Sequence, residues 1–229
     1  MFIPLHDDAP LRVIRFQMMT FGLIALNVAV FLVTGAFPGE AFLASVAQGF
    51  GVVPAEFVSE AARAHGANPV PEPVTLLTYM FLHGGWMHLI SNLLFLWIFA
   101  DNVEDAFGHV GFVLFYLLCG MAAGLAHVLL NPTSPVPLVG ASGAISGVLA
   151  AYFVLYPRAR VWVLAFFPLP IRISAVWVLG IWFVIQVLSL FATDPESQAI
   201  GWWAHIGGFL TGLVLTWLLK NRLLIRVGE

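Results

Sequence analysis

The chain has 229 residues, of which 61% are hydrophobic and 9% are charged, and its mean hydropathy is +0.96. Soluble domains carry roughly 25% charged residues, so this composition excludes a soluble enzyme and predicts a protein that lies mostly in a lipid bilayer. The net charge of −3 does not indicate a class of partner, and no nucleic acid partner is expected because the sequence contains no basic run. The single cysteine, Cys119, lies in an apolar stretch, which excludes a disulfide framework.

Six apolar stretches follow one another along the chain and predict six membrane helices. Five stand out, namely 17–37, 86–100, 110–130, 173–192 and 202–219, and most of them are close to the roughly 20 residues that span a bilayer. The sixth, 142–156, is shorter. We expect an all-α polytopic membrane protein, a six-transmembrane-helix bundle that forms one membrane domain over residues 1–229. Its parts are a cytoplasmic N-terminus at 1–16, a helical core at 17–219 and a cytoplasmic tail at 220–229.

The positions of lysine and arginine predict the orientation of these helices. With six helices and a cytoplasmic N-terminus, all basic residues except Arg63 fall on the inner side. The inner residues are Arg12, Arg15, Arg158, Arg160, Arg172, Lys220, Arg222 and Arg226. We expect a multi-pass protein of a bacterial cytoplasmic (inner) membrane, with both termini in the cytoplasm.

Three connecting segments carry further expectations. Asp101, Glu104 and Asp105 are expected in a short acidic turn after the second helix. Residues 38–84 form a long outer loop, and loops of that length usually have a function or some regular structure, so a partly helical lid at the membrane interface is expected. Residues 157–172 are expected on the cytoplasmic membrane surface, where prolines interrupt regular structure.

The short fourth helix places a serine below the outer membrane surface. From Ser142 to Tyr156 the helix measures about 22 Å at a rise of about 1.5 Å per residue, whereas the hydrocarbon core is about 30 Å thick. If the arginines that follow hold its end at the cytoplasmic surface, Ser142 lies several ångströms deep. Non-helical backbone at that depth is tolerated only against protein or water. We therefore predict a wet cavity around Ser142 that opens outward.

Polar side chains gather at the outer ends of the second, fourth and sixth helices, which run in the same direction. They are His88 and Asn92, then Ser142, then His205. Ionisable and polar groups are costly in hydrocarbon and mark functional sites by default. A serine hydroxyl needs an adjacent base to become a nucleophile, and neutral imidazole suits that role near neutral pH. The set predicts acyl transfer, with Ser142 as nucleophile and His205 as base.

Further groups are placed to stabilise the oxyanion of the tetrahedral intermediate that forms during acyl transfer. His88 and Asn92 are four residues apart, hence on one helix face, and both can donate hydrogen bonds. The backbone N–H of Ser142 is unpaired at the start of its helix. Gly140 and Gly143 allow backbone and substrate to approach closely.

Each of these residues, taken alone, has a plainer structural explanation. Gly143 and Gly147, like Gly208 and Gly212, form small-xxx-small patterns that are typical of helix-packing seams. A serine in a membrane helix often hydrogen-bonds to its own backbone. A single membrane histidine is often structural or relays protons. The joint occurrence of these groups, and no one of them, favours catalysis.

The remaining histidines are assigned no catalytic role. His127 is expected to be structural, and His83 is expected to anchor a loop through hydrogen bonds. Three others are expected in solvent: His6, His65 and His109. No HExxH spacing or cysteine cluster occurs, so neither a metal nor another cofactor is expected.

In these motifs the chain resembles the rhomboid family of intramembrane serine proteases. The matching segments are Gly140-Ala141-Ser142-Gly143 for GxSG, His205 with Gly208 and Gly212 for AHxxGxxxG, and His88 with Asn92 for HxxxN. They occur in the family's order and spacing, over roughly residues 70–215. The ordered set is far more specific than GxSG alone.

The resemblance implies a Ser142–His205 dyad without a third, acidic member. His88, Asn92 and the Ser142 amide would then form the oxyanion site. It also implies that the substrates are single-span membrane proteins, cut in or near their transmembrane segments after lateral entry near the second and fifth helices.

The chain departs from the family pattern at two places. Some members carry a tyrosine four residues after the serine, which stacks on the catalytic histidine, whereas this chain has Ser146 there. Two alternatives follow: Ser146 holds a water molecule, or another aromatic ring stacks on His205. The tryptophan–arginine pair that some members show before the second helix is also missing, and Thr75-Leu76-Leu77-Thr78 occupies that region.

Two other functions are weighed against proteolysis. A transporter or channel with a polar path through His88, Asn92 and His205 would be expected to carry acidic partners in mid-membrane or broken-helix repeats, and the sequence shows neither. A catalytically silent rhomboid-like protein that binds membrane clients would be expected to lack the serine or the histidine. The oligomeric state is left open.

Overall fold

The computed structural model describes residues 3–36, 39–59, 69–165, 169–192 and 201–228. In chain order its elements begin with β1 (Ile3–Asp7), α1 (Met18–Phe31) with a π-helical turn (Leu32–Ala36), α2 (Glu40–Phe50), α3 (Pro54–Val58), α4 (Glu72–Thr78) with a 3-10 turn (Tyr79–Phe81), α5 (Trp86–Phe107) and α6 (His109–Leu130). They continue with α7 (Ser142–Leu155), β2 (Arg160–Ala165), β3 (Leu169–Ser174), α8 (Ala175–Ala192) and α9 (Trp202–Val227).

Length and apolar composition qualify several of these helices as membrane spans. Among the described residues, four pass this test, namely α1 with its π-helical turn, α6, α8 and α9. A fifth span is counted if α4 and α5, which meet at an angle of 82°, are taken together. The helix α7 is apolar but has only 14 residues. The expected integral, multi-pass helical membrane protein is confirmed, whereas the count of six spans is not.

Two helices extend beyond the apolar stretches that predict them. The second predicted helix ends at residue 100, but α5 continues to Phe107, so the expected acidic turn is wrong and its carboxylates lie on the last turns of the helix. The last predicted helix ends at residue 219, but α9 continues to Val227. Most of the predicted tail at 220–229 is therefore helical and continuous with α9. Charged residues end a hydropathy pattern without ending a helix, because their side chains find polar partners elsewhere.

The carboxylate of Glu104 on α5 caps the first turn of α1. Glu104 is fully buried, and it accepts the backbone N–H groups of Met19 at 3.0 Å and Thr20 at 2.8 Å, and the Thr20 hydroxyl at 2.7 Å. Gln17, which precedes α1, makes no capping hydrogen bond with its side chain. The first N–H groups of a helix have no partner within it, and a negative charge there also interacts favourably with the helix dipole. Glu104 therefore fixes the start of α1 against the end of α5.

Asp105 binds the segment that precedes α1. Its carboxylate accepts the backbone N–H groups of Arg12 at 2.8 Å, Val13 at 2.8 Å and Ile14 at 2.6 Å. The guanidinium of Arg12 in turn donates to the backbone carbonyl of Val227, at the end of α9, at 3.1 Å. The end of α5 thus holds the N-terminal segment against the last turn of α9.

The long outer loop is partly helical, as expected, over its described residues. Val52 and Val53 are buried, and Val52 exchanges two backbone hydrogen bonds with Leu138, of 3.0 Å and 2.8 Å. Leu138 lies in the connection that leads from α6 into α7. The loop therefore packs on the segment that precedes Ser142, and it is part of the fold. Residues 37–38 and 60–68 lie outside the described part of this loop.

Residues near the N-terminus and after α7 form a three-stranded antiparallel sheet that the sequence did not predict. β2 pairs with β3, starting with Arg160 opposite Ser174, and β1 pairs with β2. Asp7 on β1 accepts a hydrogen bond from the Tyr152 hydroxyl on α7. Burial raises the pKa of Asp7 above its ordinary value, and this hydrogen bond offsets part of the increase. The expected irregular segment at 157–172 is wrong for its described residues, because most of them form β2 and β3, which pair with each other. The pairing of β1 with β2 joins distant parts of the chain and leaves no local signal.

The helix α7 lies at the centre of the bundle. Eleven of its fourteen residues are buried, and it packs against α5, α6, α8 and α9. The helix α8 is the opposite case, since only Ala175, Leu179 and Gln186 are buried among its 18 residues. The fold therefore surrounds the start of α7 with protein and leaves most of α8 facing outward.

The capping role of Glu104 predicts a loss of stability when its charge is removed. Glu104→Gln should lower the free energy of unfolding by at least about 2 kcal/mol, since hydrogen bonds to charged groups contribute about 1.5–3 kcal/mol each. Thermal unfolding in detergent micelles measures the change. The matched substitution Glu40→Gln alters an exposed side chain and should change the midpoint little. Equal midpoints for the two variants would show that the cap does not stabilise the fold.

Candidate active site

Glycines bring the starts of α7 and α9 into backbone contact. A β-carbon on Gly208 would overlap the carbonyl oxygen of Gly143, and one on Gly212 would lie 2.6 Å from the α-carbon of Gly147. Gly143 also faces α6, where a β-carbon would lie 2.7 Å from that of Ala123. These positions have room for a hydrogen atom only. The small-xxx-small pairs therefore lie at the α7–α9 contact, which brings the first turns of both helices together.

This contact places Ser142 beside His205. The Nε2 atom of His205 lies 2.8 Å from the hydroxyl oxygen of Ser142, which is hydrogen-bonding distance. The serine is the first residue of α7 and the histidine lies in the first turn of α9. The two side chains that the sequence analysis paired are thus in direct contact, although they are 63 residues apart in the chain.

The second ring nitrogen of His205 contacts a residue that the sequence analysis missed. The Nδ1 atom lies 2.8 Å from the side-chain oxygen Oε1 of Gln186 on α8. Gln186 is only 6% exposed. One signal could have found it: an amide side chain inside an apolar helix is costly in hydrocarbon and by itself suggests a partner in the protein.

Two tryptophans pack against the imidazole of His205. The ring of Trp182 lies 6.1 Å from it, tilted by 37°, and the ring of Trp202 lies 5.9 Å away, edge-on at 86°. Ser146, which replaces the family's tyrosine, donates its hydroxyl to the backbone carbonyl of Ser142 at 2.6 Å. Of the two alternatives for this position, the structure contains the one in which other aromatic rings pack on His205.

His88 and Asn92 on α5 face the backbone just before the serine. The N–H of Gly84 donates to Nδ1 of His88 at 3.3 Å, so a neutral His88 carries its proton on Nε2. The side-chain nitrogen of Asn92 is buried and has no hydrogen-bond partner within the described part of the chain. Buried donors without a partner are rare and call for an explanation. Both donors are therefore available to a ligand atom near Ser142.

Gly140 allows these donors to come close. Its φ of +125° lies in a region that side chains rarely adopt. A β-carbon at this position would lie 2.6 Å from Nε2 of His88 and 3.7 Å from the side-chain nitrogen of Asn92. Its N–H donates to the carbonyl of Tyr79 at 2.9 Å, which fixes the turn. The glycine of the serine motif thus keeps open the space into which His88 and Asn92 point.

A cavity of about 630 Å³ lies between the serine–histidine pair and the polar side chains of α5 and α8. Its lining includes Ser142, His205, His88, Asn92 and Gln186, together with apolar residues of α5, α7 and α8. A cavity around Ser142 agrees with the expectation from the length of α7. The described residues contain no group of three or more histidine, cysteine, aspartate or glutamate side chains arranged to hold a metal ion.

The remaining histidines differ in part from their expectations. His127 lines the cavity, but its Nδ1 atom is 3.3 Å from the side-chain nitrogen of Asn131. His83 is buried, and its ring packs edge-on against that of His88 at 5.1 Å. His109 is not simply solvated, because its Nδ1 atom lies 2.5 Å from the Glu104 carboxylate.

Two other histidines, His6 and His65, are expected in solvent. His6 is exposed on β1, as expected. His65 lies outside the described residues.

Fold and site together define a class: a multi-pass helical membrane protein with a serine–histidine pair at a cavity within its helices. A family model described as "Rhomboid domain" matches residues 71–222, more than half of the chain. The protein belongs to the rhomboid family. Its members are typically intramembrane proteases, and they act on transmembrane substrates within the lipid bilayer.

Three relatives illustrate the range of this similarity. Rhomboid-like protein 11, chloroplastic, of Arabidopsis thaliana is 35% identical over 63% of this chain and 52% of its own length. Rhomboid protein 1, mitochondrial, of Saccharomyces cerevisiae is 27% identical over 66% of this chain and 43% of its own. Rhomboid protease GluP of Bacillus subtilis is 43% identical over 33% of this chain and 14% of its own.

The chain spans about half or less of the length of these relatives. They come from chloroplasts, mitochondria and a bacterium, so the similarity supports a multi-pass membrane protein and does not support a bacterial location in particular.

The glycine contact predicts that one added methyl group disrupts the site. Gly208→Ala should destabilise the protein by about 1–3 kcal/mol, since overpacking a close contact forces backbone shifts. The control is Gly22→Ala on α1, where an added β-carbon meets no heavy atom within 4 Å. Thermal unfolding in micelles should therefore show a lowered midpoint for the first variant only. A Gly208→Ala protein as stable as Gly22→Ala would contradict this account of the α7–α9 contact.

Proposed function

We propose that this protein is an intramembrane serine endopeptidase that hydrolyses peptide bonds in or near the transmembrane segments of single-span membrane proteins. Ser142 is its nucleophile and His205 its general base. The observation that carries the proposal is the 2.8 Å separation between the Ser142 hydroxyl and Nε2 of His205. A serine becomes nucleophilic when a base within such reach accepts its proton.

Acylation follows from this geometry. Oγ of Ser142 attacks the carbonyl carbon of the scissile bond while its proton passes to Nε2 of His205. The tetrahedral intermediate then collapses, the C–N bond breaks, and His205 returns the proton to the leaving amine. The products of this half-reaction are a free amine end and an acyl ester on Ser142.

Stabilisation of the oxyanion is assigned to donors from two helices. The side-chain nitrogen of Asn92 is a buried donor without a partner among the described residues, and Nε2 of His88 faces Gly140, two residues before the serine. The N–H of Ser142 adds a third donor at the positive end of α7. Donors that are already oriented cost no reorganisation when charge develops, which is why they accelerate acyl transfer.

Deacylation requires water, and the cavity supplies a place for it. A water molecule loses a proton to His205 and attacks the ester, and His205 then protonates Oγ of Ser142 as the acyl group leaves. The cavity of about 630 Å³ beside Ser142 and His205 is large enough to hold water. The cycle ends with the free serine and a carboxylate product, with no metal or organic cofactor.

Substrates are expected to enter laterally between α5 and α8. Only three residues of α8 are buried among its 18, so this helix has few contacts to lose when a substrate displaces it. A peptide bond inside a helix is shielded by the backbone hydrogen bonds of that helix. The preferred substrate is therefore a transmembrane segment with small or helix-breaking residues.

The topology completes the proposal. Residues 1–229 form one membrane domain with both ends in the cytoplasm, as the distribution of basic residues favours. The start of α7 then lies toward the outer side, with the cavity opening to it. A bacterial cytoplasmic membrane remains part of this proposal.

The two alternatives have less support. A rhomboid-like protein that only binds membrane clients has no need for the hydrogen-bonded pair of Ser142 and His205. A transporter with a polar path is not favoured either, because Asn92, His88 and His205 converge on one serine and do not form a chain across the bilayer.

The proposed dyad makes both of its members essential. Ser142→Ala and His205→Ala should each abolish cleavage of a model single-span substrate in liposomes, because one removes the nucleophile and the other its base. A fluorophosphonate probe should label the wild-type protein and not Ser142→Ala. The matched control is Ser146→Ala, one helical turn further on, where the lost hydroxyl bonds only to backbone. Cleavage that persists in Ser142→Ala would refute the dyad.

The proposed oxyanion donors affect turnover and not folding. Asn92→Ala should lower kcat roughly 10²–10³-fold with little change in KM, since the donor acts mainly on the transition state. Ser91→Ala is the matched control, because Ser91 also lines the cavity but donates to the backbone carbonyl of His88. Steady-state cleavage kinetics measure kcat and KM for both variants, and thermal unfolding checks that both remain folded. An Asn92→Ala protein with wild-type kcat would exclude this role.

A further inference from the structure

Gln186 is the one polar residue among those that α8 buries. Its helix otherwise buries only Ala175 and Leu179, and the amide is directed toward the cavity that contains Ser142 and His205. A buried amide in an apolar helix carries a desolvation cost unless both of its ends are hydrogen-bonded. Its two partners therefore indicate why it is there.

The hydrogen bonds of Gln186 define which way its amide points. The side-chain nitrogen Nε2 donates to the backbone carbonyl of Trp182, one turn earlier, at 3.2 Å. A flipped amide would place its oxygen against that carbonyl, where two acceptors repel each other. The oxygen Oε1 therefore faces Nδ1 of His205, at 2.8 Å.

This orientation selects one form of the imidazole. Because Oε1 of Gln186 can only accept, Nδ1 of His205 must carry a proton and donate it. In the neutral ring the other nitrogen, Nε2, then has a free lone pair. That lone pair points at the Ser142 hydroxyl, which is the state a general base requires.

We propose that Gln186 is a positioning residue, which holds His205 in the Nδ1-protonated form with Nε2 directed at Ser142. The proposal rests on the proposed protease function and names a third member of its site. Gln186 does not touch the reacting atoms, and it acts only through His205.

A neutral amide suits this place for a physical reason. When Nε2 takes the serine proton, the ring becomes a cation, and Nδ1–H still donates to Oε1, whose partial negative charge stabilises that cation. A carboxylate would stabilise it more strongly but would itself be a buried charge, and burying an ion carries a large desolvation penalty. Trp182 contributes twice, since its carbonyl anchors the amide and its ring packs on the imidazole. Together they orient His205 from α8, where the family's tyrosine would do so from α7.

The test compares two substitutions at one position. Gln186→Met keeps the length of the side chain but removes the acceptor, so both neutral forms of the imidazole become populated and the ring is free to turn. Gln186→Glu restores an oxygen acceptor for Nδ1–H. The control Phe183→Leu loosens the same α8–α9 contact, where Phe183 stacks on Phe209 at 4.3 Å, without touching His205.

Three measurements follow each variant: the rate of fluorophosphonate labelling of Ser142, the kinetics of substrate cleavage, and the ¹⁵N shifts of the His205 ring. Gln186→Met should lower the labelling rate and kcat at least about tenfold with little change in KM, in the direction known for loss of a group that fixes the imidazole form. Its ring nitrogens should report a mixture of forms. Gln186→Glu should recover most of the rate, and Phe183→Leu should change stability more than labelling.

The outcomes separate this proposal from the function on which it rests. Wild-type labelling and kcat in Gln186→Met, or equal losses in Gln186→Met and Gln186→Glu, would overturn the positioning role even when Ser142→Ala is inactive. Labelling and cleavage that persist in Ser142→Ala would instead overturn the protease function and this proposal with it.

Discussion

The close contact between α7 and α9 is the constraint on which the site depends. Gly143 and Gly147 face Gly208 and Gly212, and a side chain at any of these positions would meet backbone or side-chain atoms. In a bilayer, helices gain little from burying apolar surface against each other, so contact area and close approach decide the association. Because Gly208 meets Gly143 next to the start of α7, this close approach brings Ser142 to His205.

The polar groups at the two ends of α5 differ in whether they have hydrogen-bond partners. At the end of α5, the carboxylates of Glu104 and Asp105 are saturated by backbone N–H groups of the N-terminal segment and the first turn of α1. At its start, the nitrogen of Asn92 has no partner among the described residues. Fully satisfied networks stabilise a fold, whereas unsatisfied buried donors are tolerated where a ligand completes them. One helix thus supports the structure at one end and the proposed chemistry at the other.

How much the sequence predicted depends on how local each feature is. The helical stretches, the short α7 and the pairing of Ser142 with His205 follow from composition, periodicity and the direction of successive helices. The ends of α5 and α9 did not, because charged residues such as Glu104 mark the end of an apolar run and their partners lie elsewhere in the chain. The place of β1 in the sheet was missed for the same reason, since β1 pairs with a strand more than 150 residues later.

By itself the sequence determined that this is a helical membrane protein of the rhomboid family, with a serine and a histidine at the starts of two helices, because apolar runs and ordered motifs are local properties of a chain. The tertiary structure decided how the histidine is held. The Ser146 hydroxyl hydrogen-bonds to a backbone carbonyl of its own helix. The imidazole instead contacts Gln186 and Trp182 of α8. A side chain's orientation depends on which neighbours reach it in space, and no spacing within one helix encodes what another helix presents.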